Sequence, residues 1–337
     1  MPEVSVLVAV YNAADTLARC LDSLLGQTLP NVQIICIDDA STDASPHILH
    51  QYQKAHPHCI DIITLSKNHG LSYARNQGIP LIKAPYATLL DSDDYLAPDA
   101  LQQVVDTFNL HPNTDCVLFD VRYIYPDGHE HGYRTPPFLY MKGYDAFVKS
   151  LSWDIHGWNV ARTTLYQQFH FDETCHTYSD ENTMMAHYLH SREVRCCSGI
   201  YYYFQNENSC THQVSMHRFD LLAANESLHR QLVGWGIDAD IIASYEGRRW
   251  SNLLDCFWFY YRNRKFLTPA QREQALQLLK HAWDNIDTTH LPLRTKFKPG
   301  YMPLHPFWPL FVCQEWALYM VRRLRYDQNG RKKTKNH

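Results

Sequence analysis

Residues 4–45 read VSVLVAVYNAADTLARCLDSLLGQTLPNVQIICIDDASTDAS, and the order of patterns within them decides the fold. Val4 to Val10 is a short, β-branched apolar run, the mark of a strand buried on both faces. A polar turn follows. Leu17, Cys20, Leu21 and Leu24 then recur at helical spacing, and Thr28-Leu29-Pro30 closes the segment. Ile34 to Ile37 makes a second strand ending in Asp38-Asp39. After it, Ser45 and Pro46 offer a cap and a first-turn residue for a helix carrying Ile48, Leu49 and Tyr52.

The alternation continues downstream. A third strand is expected from Ile60 to Leu65, a short helix through Tyr73 to Gln77, and a fourth strand from Ala87 to Leu90 that runs into Asp91-Ser92-Asp93-Asp94. Strands alternating with helices predict an α/β fold with a mostly parallel sheet flanked by helices. In such sheets ligands bind beyond the carboxyl ends of the strands. Tyr11 and Asn12 follow strand one, Asp38 and Asp39 follow strand two, and Asp91 to Asp94 follow strand four. Any one of these clusters is also a common turn former or helix cap. Together they put several carboxylates on one edge, and packed like charges are costly unless a cation or hydrogen-bond donors neutralise them.

Bulk properties narrow the partners. Across 337 residues, 31 Lys and Arg stand against 35 Asp and Glu, a formal charge of −4. That balance supplies no global field for gripping nucleic acid. Ten cysteines occur without the paired CxxC spacing of a zinc site and read as buried thiols in a reducing compartment. With no basic n-region or cleavage site after Met1, and no long apolar run, a cytoplasmic location is expected.

Three blocks carry a resemblance: residues 4–45 quoted above, NHGLSYARNQGI from Asn68, and ATLLDSDDYLAPDAL from Ala87. In order and spacing they resemble the N-terminal half of a family 2 glycosyltransferase, inverting and of the GT-A fold. Ala9 departs from the pattern, standing where many members have proline. The resemblance implies a nucleotide diphosphate sugar donor, with a uridine donor the commonest case, and a divalent cation, Mn2+ or Mg2+, at Asp91-Ser92-Asp93. Asp93 would be the direct ligand and Asp91 would reach the ribose, or the metal through water. Such hard cations take one or two carboxylates plus phosphate oxygens and stabilise a departing diphosphate. Asp39, with Tyr11, would recognise the base, and Ala9 and Asn12 would border it. Arg75 would contact the base or hold the loop, or else lie on a helix surface. Asn68 and Gly70 would make a tight turn admitting backbone to the donor.

Single displacement also needs a general base for the acceptor hydroxyl. FDETCHTYSDENTMMAHYLH, from Phe171, resembles the family's acceptor-side motif and sets Asp180 at the base position, with Ser179 where glutamate is common and Glu181 as the substitute. The competing reading makes Ser179 or Asp180 an N-cap for a helix bearing Met184, Met185 and Tyr188. Downstream, an aromatic strand (Ile200 to Phe204) and Asn208-Ser209 continue the motif, and His212 offers an extra metal ligand. Trp153 and Trp158 could stack on a sugar. His187 and His190, at i,i+3, read as core or surface residues.

The domains follow: a GT-A catalytic domain over 1–215 (1–105 nucleotide-sugar half, 106–215 acceptor half) and a helical C-terminal region over 216–337. Its last helix carries Phe307, Trp308, Phe311, Trp316 and Tyr319 and leads into a basic tail, which suits either peripheral membrane contact or docking on the domain. The expected function is sugar transfer from the donor to a hydroxyl of a carbohydrate or lipid-linked saccharide, in cell-surface polysaccharide or lipopolysaccharide biosynthesis, at the cytoplasmic face of the inner membrane. The alternative is a non-catalytic nucleotide-sugar-binding subunit or scaffold. A sugar-phosphate nucleotidylyltransferase would need a glycine-rich basic loop that VAVYNAAD lacks.

Overall fold

The computed structural model describes residues 1–134, 137–205 and 214–333, with side chains of the last helix described as far as Leu324. The chain divides into two compact units, residues 1–212 and 213–337.

The first unit opens with β1 (Val4–Val10), α1 (Leu17–Leu25), β2 (Gln33–Asp38), α2 (Ser45–Ala55), β3 (Ile60–Thr64), α3 (Leu71–Gly78) and β4 (Tyr86–Leu89). β1 lies between β2 and β4, and β2 pairs with β3, all parallel. Alternate residues of β1 explain why it must be central. Val4, Val6, Val8 and Val10 are buried against Leu17, Cys20, Leu21 and Leu24 of α1, while Leu7 on the other face is equally sealed. There α3 packs so closely that a Cβ on Gly78 would stand 2.5 Å from Leu7 and 2.9 Å from Ile37. Only a glycine allows that approach, which fixes the depth at which α3 holds Arg75.

Ser45 does not cap α2 as the sequence suggests. It is the first helical residue, its Oγ accepts from the Ala13 N–H at 2.9 Å, and its own N–H donates to Asp43 at 2.9 Å. The hydroxyl therefore ties the loop after β1 to the start of α2.

Beyond β4 come β5 (Tyr95–Leu96), α4 (Ala100–Leu110), β6 (Thr114–Ile124), β7 (Glu130–Gly132), β8 (Met141–Lys142), α5 (Gly143–Ser150), β9 (Asn159–Arg162), α6 (Thr163–Gln168), α7 (Asp180–Leu189) and β10 (Glu193–Phe204). The sheet runs β3-β2-β1-β4-β9-β6-β10-β5, with β7 on β6 and β8 on β10. Its parallel part is the stretch legible from alternation. β9 then runs antiparallel to both neighbours, and β6 and β10 are parallel to each other, so the sheet is mixed past residue 90 and the ends of β4 and β10 come together at one edge.

The second unit is helical: α8 (Asp220–Gly234), α9 (Ala239–Asn263), α10 (Pro269–Asn285), α11 (Leu293–Lys296) and α12 (Trp308–Lys333). Its core holds Trp250, Phe257, Trp283 and Phe311. A buried Arg249–Glu246 pair at 2.6 Å is completed by the Asp287 N–H donating to Glu246 at 3.0 Å. Among the described residues no helix is long and apolar enough to cross a membrane.

Candidate active site

Three polar turns meet where β1, β2 and β4 end. The Asp39 N–H donates to Val10 at 2.8 Å and the Leu90 N–H to Leu7 at 3.0 Å, so the residues after each strand stay in register. Asp39 is buried and its two carboxylate oxygens accept the N–H groups of His69 and Gly70, each at 2.8 Å, while the Asn68 amide donates to the Asp39 carbonyl at 3.4 Å. Asp39 thus shapes the 68–70 turn that precedes α3. Gly70 sits at φ +95°, where a side chain would be strained and a Cβ would lie 2.6 Å from His176. Asn12, at φ +49°, accepts from the Thr42 N–H at 2.8 Å. Ala9 is half-buried on β1, and Tyr11 is 51% exposed beside this edge.

Arg75 is the hinge of the site. It is buried within α3, and not on a helix surface. Its Nη2 donates to Asp91 at 2.6 Å and its Nη1 to Asp180 at 2.7 Å, joining the end of β4 to the start of α7. Phe171 stacks below the guanidinium at 5.5 Å. Burial alone would pull the Arg75 pKa down, but Asp91 and Asp180 outweigh it and raise the value above the usual arginine range. Ser179 stands at the N-cap position of α7, as the competing reading has it, but without the side-chain bond that would make it a cap. Its hydroxyl donates to the carbonyls of Asp172 and Cys175 at 2.6 and 2.9 Å, and the Asp180 carboxylate is turned to Arg75.

The other two carboxylates after β4 have separate environments. Asp94 is fully buried and accepts from the Tyr201 hydroxyl at 2.7 Å and the Phe204 N–H at 2.8 Å, fastening the turn to β10. Burial, then Asp91 and Asp93, push its pKa well up. Asp93 is pushed up to about 6 by burial and by Asp91. Its backbone carbonyl accepts from Arg19 at 2.7 Å, with Arg19 stacked over Phe204 and Tyr95. No side-chain donor reaches the Asp93 carboxylate among the described residues.

These groups bear on a divalent cation. No set of three or more His, Cys, Asp or Glu residues among those described is arranged to hold a metal. A hard cation of the magnesium type needs no such cage, since water and phosphate complete its shell. A mostly buried carboxylate without a side-chain donor among the described residues, beside a second carboxylate, is a group that such a cation would neutralise, so Asp93 and Asp91 fit it. His212, like Asn208 and Ser209, lies outside the described residues.

Between Arg75, Asp91 and Asp180 opens a cavity of about 320 Å3 walled by Trp153, Trp158, Tyr123 and Tyr203, with Glu181 also lining it. Trp153, at φ +59°, offers its carbonyl to the Tyr133 hydroxyl at 2.9 Å and to Arg134. Trp158 packs on Tyr203 with centroids 5.0 Å apart. His156, pushed down to about 4 by burial, is neutral beside them. His187 is fully buried against Tyr166 and His190 stacks on Phe169, so this pair belongs to the packing of α7. Arg19 and Tyr123 escape sequence reading, and for Asp94 and the aromatic strand β10, both expected as residues, it is their mutual contact that does, because they meet at the acidic turn only through the sheet order.

A family model described as Glycosyl transferase family 2 matches residues 5–192. The chain belongs to glycosyl transferase family 2. Curated relatives of this family 2 chain include the poly(ribitol-phosphate) beta-glucosyltransferase of Bacillus spizizenii, 41% identical over 101 residues (29% of this chain, 16% of that protein). Another is the putative glycosyltransferase EpsH of Bacillus subtilis, 40% identical over 117 residues (35% of this chain, 33% of that protein). The matched segments thus span a third or less of these relatives. A crystal structure of residues 1–349 of S. aureus TarS in complex with UDP-GlcNAc superposes with a TM-score of 0.73 at 16% identity, covering 96% of this chain and 92% of that one. That likeness establishes the GT-A fold, helical C-terminal part included.

Proposed function

We propose that this family 2 enzyme transfers one sugar, with inversion, from a nucleotide diphosphate sugar to an acceptor hydroxyl. The observation that carries the reading is the single guanidinium of Arg75, which holds the Asp91 carboxylate and the Asp180 carboxylate on two sides of an aromatic-walled cavity. Residues 1–105 form the nucleotide-sugar half in this reading and residues 106–215 the acceptor half. Tyr11 and Asp39, with Ala9 and Asn12, border the base, and the 68–70 turn brings backbone to the donor. The TarS complex with UDP-GlcNAc supports a uridine nucleotide as the first donor to try.

A cation held by Asp93 and Asp91 would supply positive charge to the departing diphosphate. The chain's own groups do the rest. Trp153 and Trp158 orient the acceptor ring by stacking. Asp180 takes the proton of the acceptor hydroxyl as that oxygen bonds to the anomeric carbon, and the carbon–oxygen bond to the diphosphate breaks. Arg75 positions Asp180 and balances Asp91 until the donor arrives.

The acceptor class, a carbohydrate or lipid-linked saccharide of a surface polymer, rests on the family resemblance, and one relative named above is by its name a glucosyltransferase of poly(ribitol-phosphate). Peripheral membrane contact through the C-terminal helix and basic tail belongs to the same reading. The test is a release assay: the protein with Mn2+ or Mg2+, a panel of nucleotide sugars, and detection of freed nucleotide diphosphate. One donor is expected to give cation-dependent release that Asp93→Ala abolishes and Asp180→Asn lowers by about 10²–10⁴-fold, with donor binding retained. Cation-dependent binding without release from any donor would instead favour a non-catalytic binding subunit or a missing lipid acceptor, and supplying lipid-linked saccharides separates the two.

A further inference from the structure

The helical unit carries a second concave site, far from the acidic turn in composition. A groove of about 580 Å3 runs between the end of α9 and α12, and its cations are Arg262, Arg264, Lys265 and Arg323. No carboxylate lines it among the described residues, and none of the four cations is in an ion pair there. Its floor is aromatic, with Trp258 and Tyr319 packed at 5.3 Å. At its lip Phe266 is 64% and Trp316 48% exposed. All four cations are exposed and unpaired by any carboxylate among the described residues, which leaves them available to an anionic occupant.

The outer face of α12 says which occupant. Leu310, Trp316, Val321 and Leu324 are all exposed, and at helical spacing they share one arc of about 140°. An apolar arc of that width flanked by Arg and Lys is the pattern of a helix lying in a lipid interface, with rings at the headgroup level and long cationic side chains reaching phosphate. A second copy of the chain fits poorly, since a two-fold contact would oppose four cations to four.

We propose that this groove is a docking site for anionic phospholipid at a bilayer surface, Arg262, Arg264, Lys265 and Arg323 taking headgroup phosphates while Trp316 and Phe266 seat in the interfacial layer. It deepens the membrane contact proposed above and moves its centre from the tail to the α9–α12 groove. It is independent of the catalytic reading, which the release assay with a non-lipid acceptor tests separately.

Removing α12 is the wrong test, because Phe311 is fully buried in the core of the unit. Point variants of exposed residues are used instead. The full chain is sedimented with vesicles of phosphatidylcholine alone or mixed with phosphatidylglycerol, at low and high ionic strength. Binding is expected only to the anionic vesicles and to weaken with salt. The triple variant Arg262→Gln, Arg264→Gln, Lys265→Gln is expected to bind on the order of a hundredfold more weakly. Trp316→Ser is expected to weaken binding without altering its salt dependence. Absence of binding to anionic vesicles, or unchanged binding of the triple variant, overturns the proposal. So does displacement by soluble glycerophosphoglycerol at the lipid concentration, which would make this a free-phosphate site, or retention on an acidic protein with vesicles ignored.

Discussion

Arg75 shows how a side chain can be decisive and yet hard to read. Sequence alone marks Arg75 in the LSYARN block and marks Asp91 and Asp180 in motifs of their own, but these partners are 16 and 105 residues away and no local pattern links them to it. What makes the contact is the depth of α3, set by Gly78 against Leu7 and Ile37. With its guanidinium removed, two carboxylates face a cavity with no cation. Arg75→Gln is expected to lower stability by on the order of 2 kcal/mol, less than for a fully buried pair because Asp91 keeps some solvent contact. Urea unfolding with and without a divalent cation checks this. A cation at Asp91 and Asp93 should restore part of the loss in the variant, and an identical deficit in both conditions would mean that Arg75 is not what neutralises Asp91.

At the scale of elements, the sequence was informative where one segment's periodicity determines its burial. β1 through β4 and the helices between them are legible because each strand is an apolar run and each helix shows a single apolar stripe. The long helices of the second unit are legible for the same reason. β9, four residues long and antiparallel to both neighbours, has no such signature, so Trp153, Trp158 and Asp180 were legible as residues but the strand pairing that brings them to the cavity was not. The last helix was ambiguous since its aromatic residues serve two ends: Phe311 is fully buried and Trp308 and Tyr319 pack on the core, while Phe307 and Trp316 are exposed. Glu315 on that buried side gives a test of docking. Burial pushes its carboxyl up to about 8, against partial relief from Gln314 and Arg322. A carboxyl with a raised folded-state pKa favours folding most fully below its unfolded value, and the benefit is lost as pH rises through the folded one. Between about pH 4.5 and 8 the helical unit is therefore expected to lose on the order of 1 kcal/mol per pH unit from this group. Glu315→Gln should flatten that dependence, read as amide exchange protection in α9 and α12 across pH; an unchanged slope would mean that Glu315 is solvated and α12 loosely docked.

For the whole molecule, the acidic edge is the property that ties fold to activity. The parallel order β2-β1-β4 collects Asp39, Asp91 and Asp93 at one end of the sheet, and β10 brings Tyr201 and Tyr203 to the same place. On the proposed function such a site would gain stability from its ligands, because a cation with nucleotide diphosphate would neutralise Asp93, which no side-chain donor reaches among the described residues. A donor at about a hundred times its dissociation constant adds roughly 2.7 kcal/mol to the folded state. In a chain of this size that corresponds to a rise in melting temperature of about 4 °C. The expected result is a shift of that order with donor and Mn2+ together, and a much smaller one with donor alone, since the diphosphate would then meet Asp91 and Asp93 with no charge between them. Asp93→Ala should leave the donor-alone shift nearly unchanged and remove the extra increment from the cation. Equal shifts with and without Mn2+ in the unaltered protein would show that donor binding does not pass through these carboxylates, and would place the diphosphate against cationic groups of the chain instead.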